Sequence, residues 1–349
     1  MPGLSVSVGF VIGLAFGTVG LLSGFCLMSG LRDWWRANDG RKLRSHAIAL
    51  AVAILGTQLI AGAGLVDIAK SLYLQPSFSA PLIFAGGLLF GIGMVLSNGC
   101  ASRALVLLGK GNLRSLVVIA VIGITAPMTL KGLIAPMRLA FLQETQITPA
   151  AISAPALLAG MGIGEFAARI VVTLFASGAL LAFAFSDRAF RRAYGQIAAG
   201  IAIGALVVAG WLATGWIGAD EFDPVPVTSL SFISPIADTL QYTMLSTGLS
   251  LSFGIALVAG VLAGSLVTAL VTGRFGLEGY SSANHMLRSI SGAALMGIGG
   301  AMAYGCSVGQ GLSGLSTLGM PSFIAVAGIV SGAALALRGP VTLPVLATR

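Results

Sequence analysis

Three cysteines are the side chains in this sequence best suited to act chemically, and their surroundings repeat. Cys26 ends the segment SGFC, Cys100 ends GGLLFGIGMVLSNGC (from Gly86), and Cys306 ends GAALMGIGGAMAYGC (from Gly292). The two long segments share Gly86/Gly292, Leu89/Leu295, Gly91/Gly297, Ile92/Ile298, Gly93/Gly299, Gly99/Gly305 and Cys100/Cys306 in one register. With one insertion the match continues through Leu108/Leu315 and Ser115/Ser322. A fainter copy sets Gly13, Phe16, Gly17, Leu22, Ser23 and Cys26 against Gly87, Phe90, Gly91, Leu96, Ser97 and Cys100, and a fourth around Gly260 and Gly264 has no cysteine. A lone cysteine in an apolar stretch is usually a small hydrophobe. Three of three in a repeated motif point instead to use of the thiols. An odd number on separate segments argues against disulfides. No CxxC marks a thiol oxidoreductase, and no Met or His joins the cysteines at metal-ligand spacing. Hydrogen-bonding partners for an anion near the thiols are Asn98, Ser102, Ser307 and Gln310, with backbone N–H groups beside Gly99 and Gly305. Arg103 adds charge, or serves only as a topology arginine.

These residues must be held by helices in lipid. Hydrophobic residues make up 56% of 349 and charged ones 9%, with a mean hydropathy of +0.98, whereas a soluble domain carries roughly 25% charged residues. Glycine, at 49 residues, suits close helix contacts and broken helices. About 20 apolar residues cross a bilayer, and the sequence predicts nine spans: 5–31, 45–69, 80–99, 114–134, 157–185, 194–217, 246–272, 289–305 and 321–338. No Lys or Arg precedes Arg32, and the run from Leu4 to Leu31 exceeds the 7–15 residues of a signal-peptide core, so it reads as a retained span. Pro136, Pro149, Pro155, Pro224, Pro226 and Pro235 mark 135–156 and 218–245 as connections. The fold expected is an all-α polytopic membrane protein with broken or re-entrant central segments and two inverted-repeat-like halves. It forms one transmembrane domain over 1–349, with an N-terminal half 1–134, a connecting part 135–193 and a C-terminal half 194–349.

All 19 basic residues except Lys70, Lys131, Arg138 and Arg169 fall on one set of loops, from Arg32 through Arg103, Arg188 and Arg288 to Arg338 and Arg349. By the positive-inside rule that side is cytoplasmic, which puts the N-terminus outside and the C-terminus inside an inner (plasma) membrane. The net charge of +8 is thereby a topology signal, and its scatter over short loops excludes nucleic-acid binding. The spans ending in Cys100 and Cys306 then run antiparallel, as inverted repeats do, with a substrate site near the midplane. A short helix starting after each cysteine would aim N–H groups there, which favours an anion. His46 and His285 sit by basic loops and read as solvated, while Glu165 and Arg169 read as a helix-surface pair or an outer vestibule.

At SGFC (23–26), NGCASRALVLLGKGNLRSLVV (98–118) and YGCSVGQGLSGLST (304–317) the sequence resembles the YeeE/YedE family of sulphur-transport membrane proteins, whose members include thiosulfate transporters. The resemblance implies a helical bundle whose loops converge on a route lined by Cys26, Cys100 and Cys306. Relatives commonly have Gly before the Gly-Cys pair, where this chain has Asn98 and Tyr304. The resemblance also implies a cytoplasmic partner, a small thiol-bearing sulphur-carrier protein or a sulfurtransferase. The expected function is uptake of a sulphur-containing inorganic anion, thiosulfate first, without a cofactor and in contact with membrane lipid. Two alternatives stand beside it: carriage of sulfite, sulfide or a selenium compound, and a membrane enzyme that passes sulphur through a cysteine persulfide.

Overall fold

Apolar runs punctuated by Gly and by polar caps dictate a helix-only chain, and a computed structural model describes it over residues 2–219 and 225–338. Pro224 and Arg349, both used above, lie outside the described residues. The first span is two helices, α1 (Pro2–Ser23) and α2 (Leu27–Ala37), followed by α3 (Arg41–Gly62). The third is likewise split into α4 (Ala80–Leu96) and α5 (Ala101–Gly109), followed by α6 (Leu113–Leu130). The connection predicted over 135–156 holds α7 (Ala135–Thr145) and the start of α8 (Ala154–Gly160). Next come α9 (Glu165–Phe185), the single turn α10 (Arg188–Arg191) and α11 (Tyr194–Gly215). Then α12 (Ile233–Leu245) lies inside the other predicted connection, and α13 (Phe253–Val271), α14 (Ala283–Met302) and α15 (Met320–Arg338) complete the fold. Side-chain oxygens of Ser79, Asn112, Ser252 and Ser282 accept N–H bonds at the starts of α4, α6, α13 and α14, which satisfies donors that a helix start leaves free.

Among the described residues, 8 segments are long and apolar enough to cross a membrane. The chain is therefore a multi-pass, all-helical membrane protein. The expected span 289–305 exists as α14, but that helix opens on Asn284, His285 and Arg288 and falls short in hydropathy.

Glycines set how the helices meet. A Cβ at Gly13 or Gly17 would lie 2.2 or 2.3 Å from a carbonyl of α13, and at Gly260 or Gly264 it would strike Phe10 or Leu14 of α1. The pair α4 and α15 repeats this through Gly87, Gly91, Gly328 and Gly332. Both crossings are parallel, and in both the backbones touch as small-residue packing in lipid allows. By contrast α4 and α14 cross antiparallel with reciprocal contacts, Gly86 against Gly299 and Gly93 against Gly292. Positions that match in sequence thus exchange partners across the crossing, as surfaces related by a two-fold axis do.

Beyond α14 the chain leaves α-helical geometry. Residues 305–319 are buried throughout and include a π-helical turn, Gly309–Gly314. Backbone of this kind is tolerated at membrane depth only inside protein, and polar side chains anchor it here. Ser316 Oγ accepts from Thr57 Oγ1 at 3.1 Å and from the Trp211 indole N–H at 3.2 Å, while Gln58 Nε2 donates to the Ser316 carbonyl at 2.9 Å. From the opposite side Ser313 Oγ donates to the Leu230 carbonyl at 2.7 Å.

Candidate functional site

Each cysteine follows a helix end that turns through left-handed geometry. Gly24, Asn98 and Tyr304, two residues before the three cysteines, have φ of 65°, 56° and 55°. Asn98 and Tyr304 are the C′ positions of α4 and α14, where the left-handed turn lets the next N–H reach back to a carbonyl of the last turn, whereas Gly24 directly follows α1 and the next N–H, of Phe25, bonds Ser23 Oγ at 3.3 Å. Gly99 N–H bonds the Met94 carbonyl and Gly305 N–H the Gly300 carbonyl, both at 2.9 Å. The N–H groups of these two glycines are therefore committed to the helix ends. The donors left free are in the next helices, because Cys26 and Cys100 are the N-caps of α2 and α5 and use no side-chain cap. Cys306 differs: the π-helical turn follows it, and the Gly309 N–H donates to its Sγ at 3.2 Å.

The three thiols are free and buried. Cys26 Sγ and Cys100 Sγ lie 3.8 Å apart, and Ser102 Oγ is 3.2 Å from Cys100 Sγ. The Ser307 hydroxyl also interacts with the Cys100 thiol, although it makes no bond of full hydrogen-bond geometry. The sulphur–sulphur contact thus joins the first two repeats, and the third reaches them through the neighbour of Cys306. Gln310 donates from Nε2 to the Ala303 carbonyl at 2.6 Å, and its buried Oε1 has no partner. The field of Arg103 reaches Cys26, and the Arg103 Nε is buried without an acceptor. Asn98 Oδ1 accepts from Arg32 at 3.1 Å.

Several residues of this centre were not anticipated. Tyr73 is buried against Trp211 with ring centroids 6.1 Å apart, and its hydroxyl and that of Ser231 lie beside Gly309. Leu230 and Phe232, from the connection before α12, are fully buried. An alternation of Ser with apolar residues over 228–232 is the one sequence signal for that segment. His46, expected to be solvated, is 8% exposed, stacks on Phe25 at 5.0 Å and has an unpartnered Nδ1. It lies one turn or more inside α3, between Phe25 of the break before α2 and Gly311 of the π-helical turn. Glu165 and Arg169 form no ion pair among the described residues.

Cavities open on both sides of this packed layer. One of about 460 Å³ is lined by Lys70, Tyr73, Ser231, Asp238 and Tyr304. On the other side are one of about 130 Å³ beside Asn98, Gly99 and Arg103, and one of about 200 Å³ beside Gly24, Phe25, Arg103, Lys110 and Arg274. None of the three is lined by a cysteine. The thiols therefore sit in a closed layer with these cavities on either side.

A family model described as sulphur transport matches residues 22–335, a stretch that takes in all three cysteines. The thiosulfate transporter TsuA of Escherichia coli (strain K12) is 24% identical over 319 residues, covering 87% of this chain and 86% of that protein. The thiosulfate transporter TsuA of Spirochaeta thermophila is 23% identical over 326 residues, covering 91% and 93%. A helical membrane chain with buried thiols between open cavities, matched by that model along nearly all its length, belongs to the sulphur-transport family, and both relatives are transporters by name.

Proposed function

We propose that this chain carries thiosulfate inward across the inner membrane, along a route through Cys306, Cys100 and Cys26. The observation that carries the reading is the contact between Cys26 and Cys100, buried between mouths on opposite sides and flanked by the hydroxyls of Ser102 and Ser307. Thiosulfate offers a soft terminal sulphur and three oxygens that accept hydrogen bonds. A protonated thiol is a weak donor to such a sulphur, and serine hydroxyls suit the oxygens. Weak, successive sites are what conduction needs, since a tight one would not release. Asn98, Gly99, Arg103, Gly305 and Gln310 complete the lining. Both TsuA relatives are thiosulfate transporters by name, which favours thiosulfate over sulfite or sulfide. The basic face of the bundle is cytoplasmic in this reading, with the N-terminus outside.

Energetics set the mode. Moving a dianion inward against about 100 mV costs about 4.6 kcal/mol, twice the 2.3 kcal/mol of a single charge. The motifs hold no Asp, Glu or His to carry a proton, so entry is facilitated and is drained by consumption inside. The drain is a small cytoplasmic sulphur-carrier protein or sulfurtransferase that takes the anion at the basic face.

The test is growth of a bacterium without thiosulfate uptake of its own, on thiosulfate as sole sulphur source. Wild type restores growth, while Cys100→Ala and Cys306→Ala restore little. A wild-type chain present in the membrane without growth rules out the substrate. Alanine variants that match wild type rule out the thiol route.

A further inference from the structure

Three arginines converge on the cavity beside Gly99 from three separate elements. Arg103 comes from α5, Arg114 from the first turn of α6 and Arg288 from α14, where His285 stands one turn earlier. Asn98, Asn112, Ser97, Ser115 and Ser289 complete the polar lining, and no Asp or Glu contributes to it. Glu278, the acid bonded to this region, is held by Lys110 at 3.4 Å and by Asn112 at 2.8 Å. Arg103, Arg114 and Arg288 make no ion pair among the described residues. The Nε atoms of Arg103 and Arg288 are buried with no acceptor at all. Arg114 spends its Nε on the Gly279 carbonyl at 2.6 Å, which leaves the terminal nitrogens of its fork for something else.

An arginine kept only for topology would hold its donors in water. Here like charges are brought together and two donors are dried out, and both cost free energy unless an anion fills the space. The guanidinium fork fits a tetrahedral oxyanion with two parallel bonds, and about 130 Å³ accommodates one. We propose that this cavity is a second anion site, distinct from the thiols, which holds one tetrahedral oxyanion between Arg103, Arg114 and Arg288. The proposal rests on the transport reading and adds to it a station between Cys100 and the basic face.

His285 makes the site sensitive to pH. Burial, then Arg114 and then Arg288, hold its imidazole below the usual range, and the Tyr280 ring meets it edge-on at 5.5 Å. A bound dianion opposes the two guanidiniums and favours the imidazolium. Binding therefore takes up a proton and strengthens as pH falls.

The experiment uses the full chain in phosphatidylcholine nanodiscs at low ionic strength, with sulfate as probe because it lacks the terminal sulphur that the thiols would recognise. Sulfate raises the unfolding temperature of wild type in a concentration-dependent way. Arg114→Gln and Arg288→Gln each weaken it by about tenfold, the loss of one bidentate contact, and Cys100→Ala binds it as wild type does. The response strengthens from about pH 8 to about pH 6, and His285→Ala flattens that trend. A parallel arm adds phosphatidylglycerol: if this lipid displaces sulfate only when the arginines are present, the same oxyanion chemistry is supplied by a headgroup. No sulfate response in wild type up to about 10 mM, far above a useful site's affinity, overturns the proposal without any variant. Wild-type affinity in the double glutamine variant does so as well. Growth on thiosulfate with no sulfate site leaves the transport reading standing alone. Arginine-dependent sulfate binding without growth leaves the site standing alone.

Discussion

Tyr304 occupies a backbone geometry, φ 55°, that costs a residue with a Cβ about 1–2 kcal/mol. Its counterparts in the other repeats are Gly24 and Asn98, the two residue types that tolerate this region best. Tyrosine thus stands here against local preference, and it lines the cavity of about 460 Å³ just as Asn98 lines one on the opposite side. Tyr304→Gly relieves the strain, less about 0.5–1 kcal/mol for the freer unfolded chain, so it unfolds at the same or a higher temperature than wild type. Tyr304→Val, β-branched, unfolds lower, with a gap between the two variants of about 1–2 kcal/mol. A valine variant as stable as the glycine one would show that this turn is not strained.

At the scale of elements, the two parallel glycine crossings fix the frame on which the cysteines are hung. At Gly91 a Cβ would lie 2.2 Å from the Ile329 carbonyl, a backbone atom that cannot swing away. Gly91→Ala must therefore push α15 off α4, at about 1–3 kcal/mol for overpacking, and displace the start of α5 with Cys100. Gly178, in α9, meets nothing within 4 Å, so Gly178→Ala gains about 0.8–1 kcal/mol of helix propensity. Thermal unfolding of the two purified variants in one detergent separates them by sign. Changes of the same sign would refute the crossing as the reason for the glycine.

Across the whole molecule, contacts between distant segments gather the basic loops on one face. Arg36 bonds the Leu337 carbonyl, Arg44 bonds Ser186 at 2.7 Å, Arg338 lies over the Trp35 ring, and the Arg114 and Lys110 contacts join α5 and α6 to the loop before α14. The ends of α2, α9 and α15 therefore share a side. If thiosulfate crosses as an uncompensated dianion, its flux into proteoliposomes must follow the membrane potential. An imposed interior-positive potential speeds uptake and an interior-negative one slows it, about 4.6 kcal/mol of driving force per 100 mV being at stake. Uptake that follows a pH gradient and ignores potential would show proton coupling and defeat the facilitated mode. His46, buried beside Phe25, would then be the first residue to substitute.

Much of this was legible in the sequence because burial in lipid is a one-dimensional property. Uninterrupted apolar length announces a span, so the helices, the breaks before Cys100 and Cys306 and the membrane class could be read residue by residue. The left-handed turns at Gly24, Asn98 and Tyr304 were not legible, because only one of the three positions holds glycine. Tertiary structure alone decided which breaks touch. Cys26 meets Cys100 because α1 and α4 are each clamped by a different late helix, and no local pattern states that α13 will choose α1. Only packing reveals that Phe232 and His46 are covered, since cover comes from segments far off in the chain. The convergence of Arg103, Arg114 and Arg288 on one cavity has the same cause: each alone reads as a charge at a helix end, and a site arises when three such ends are folded together.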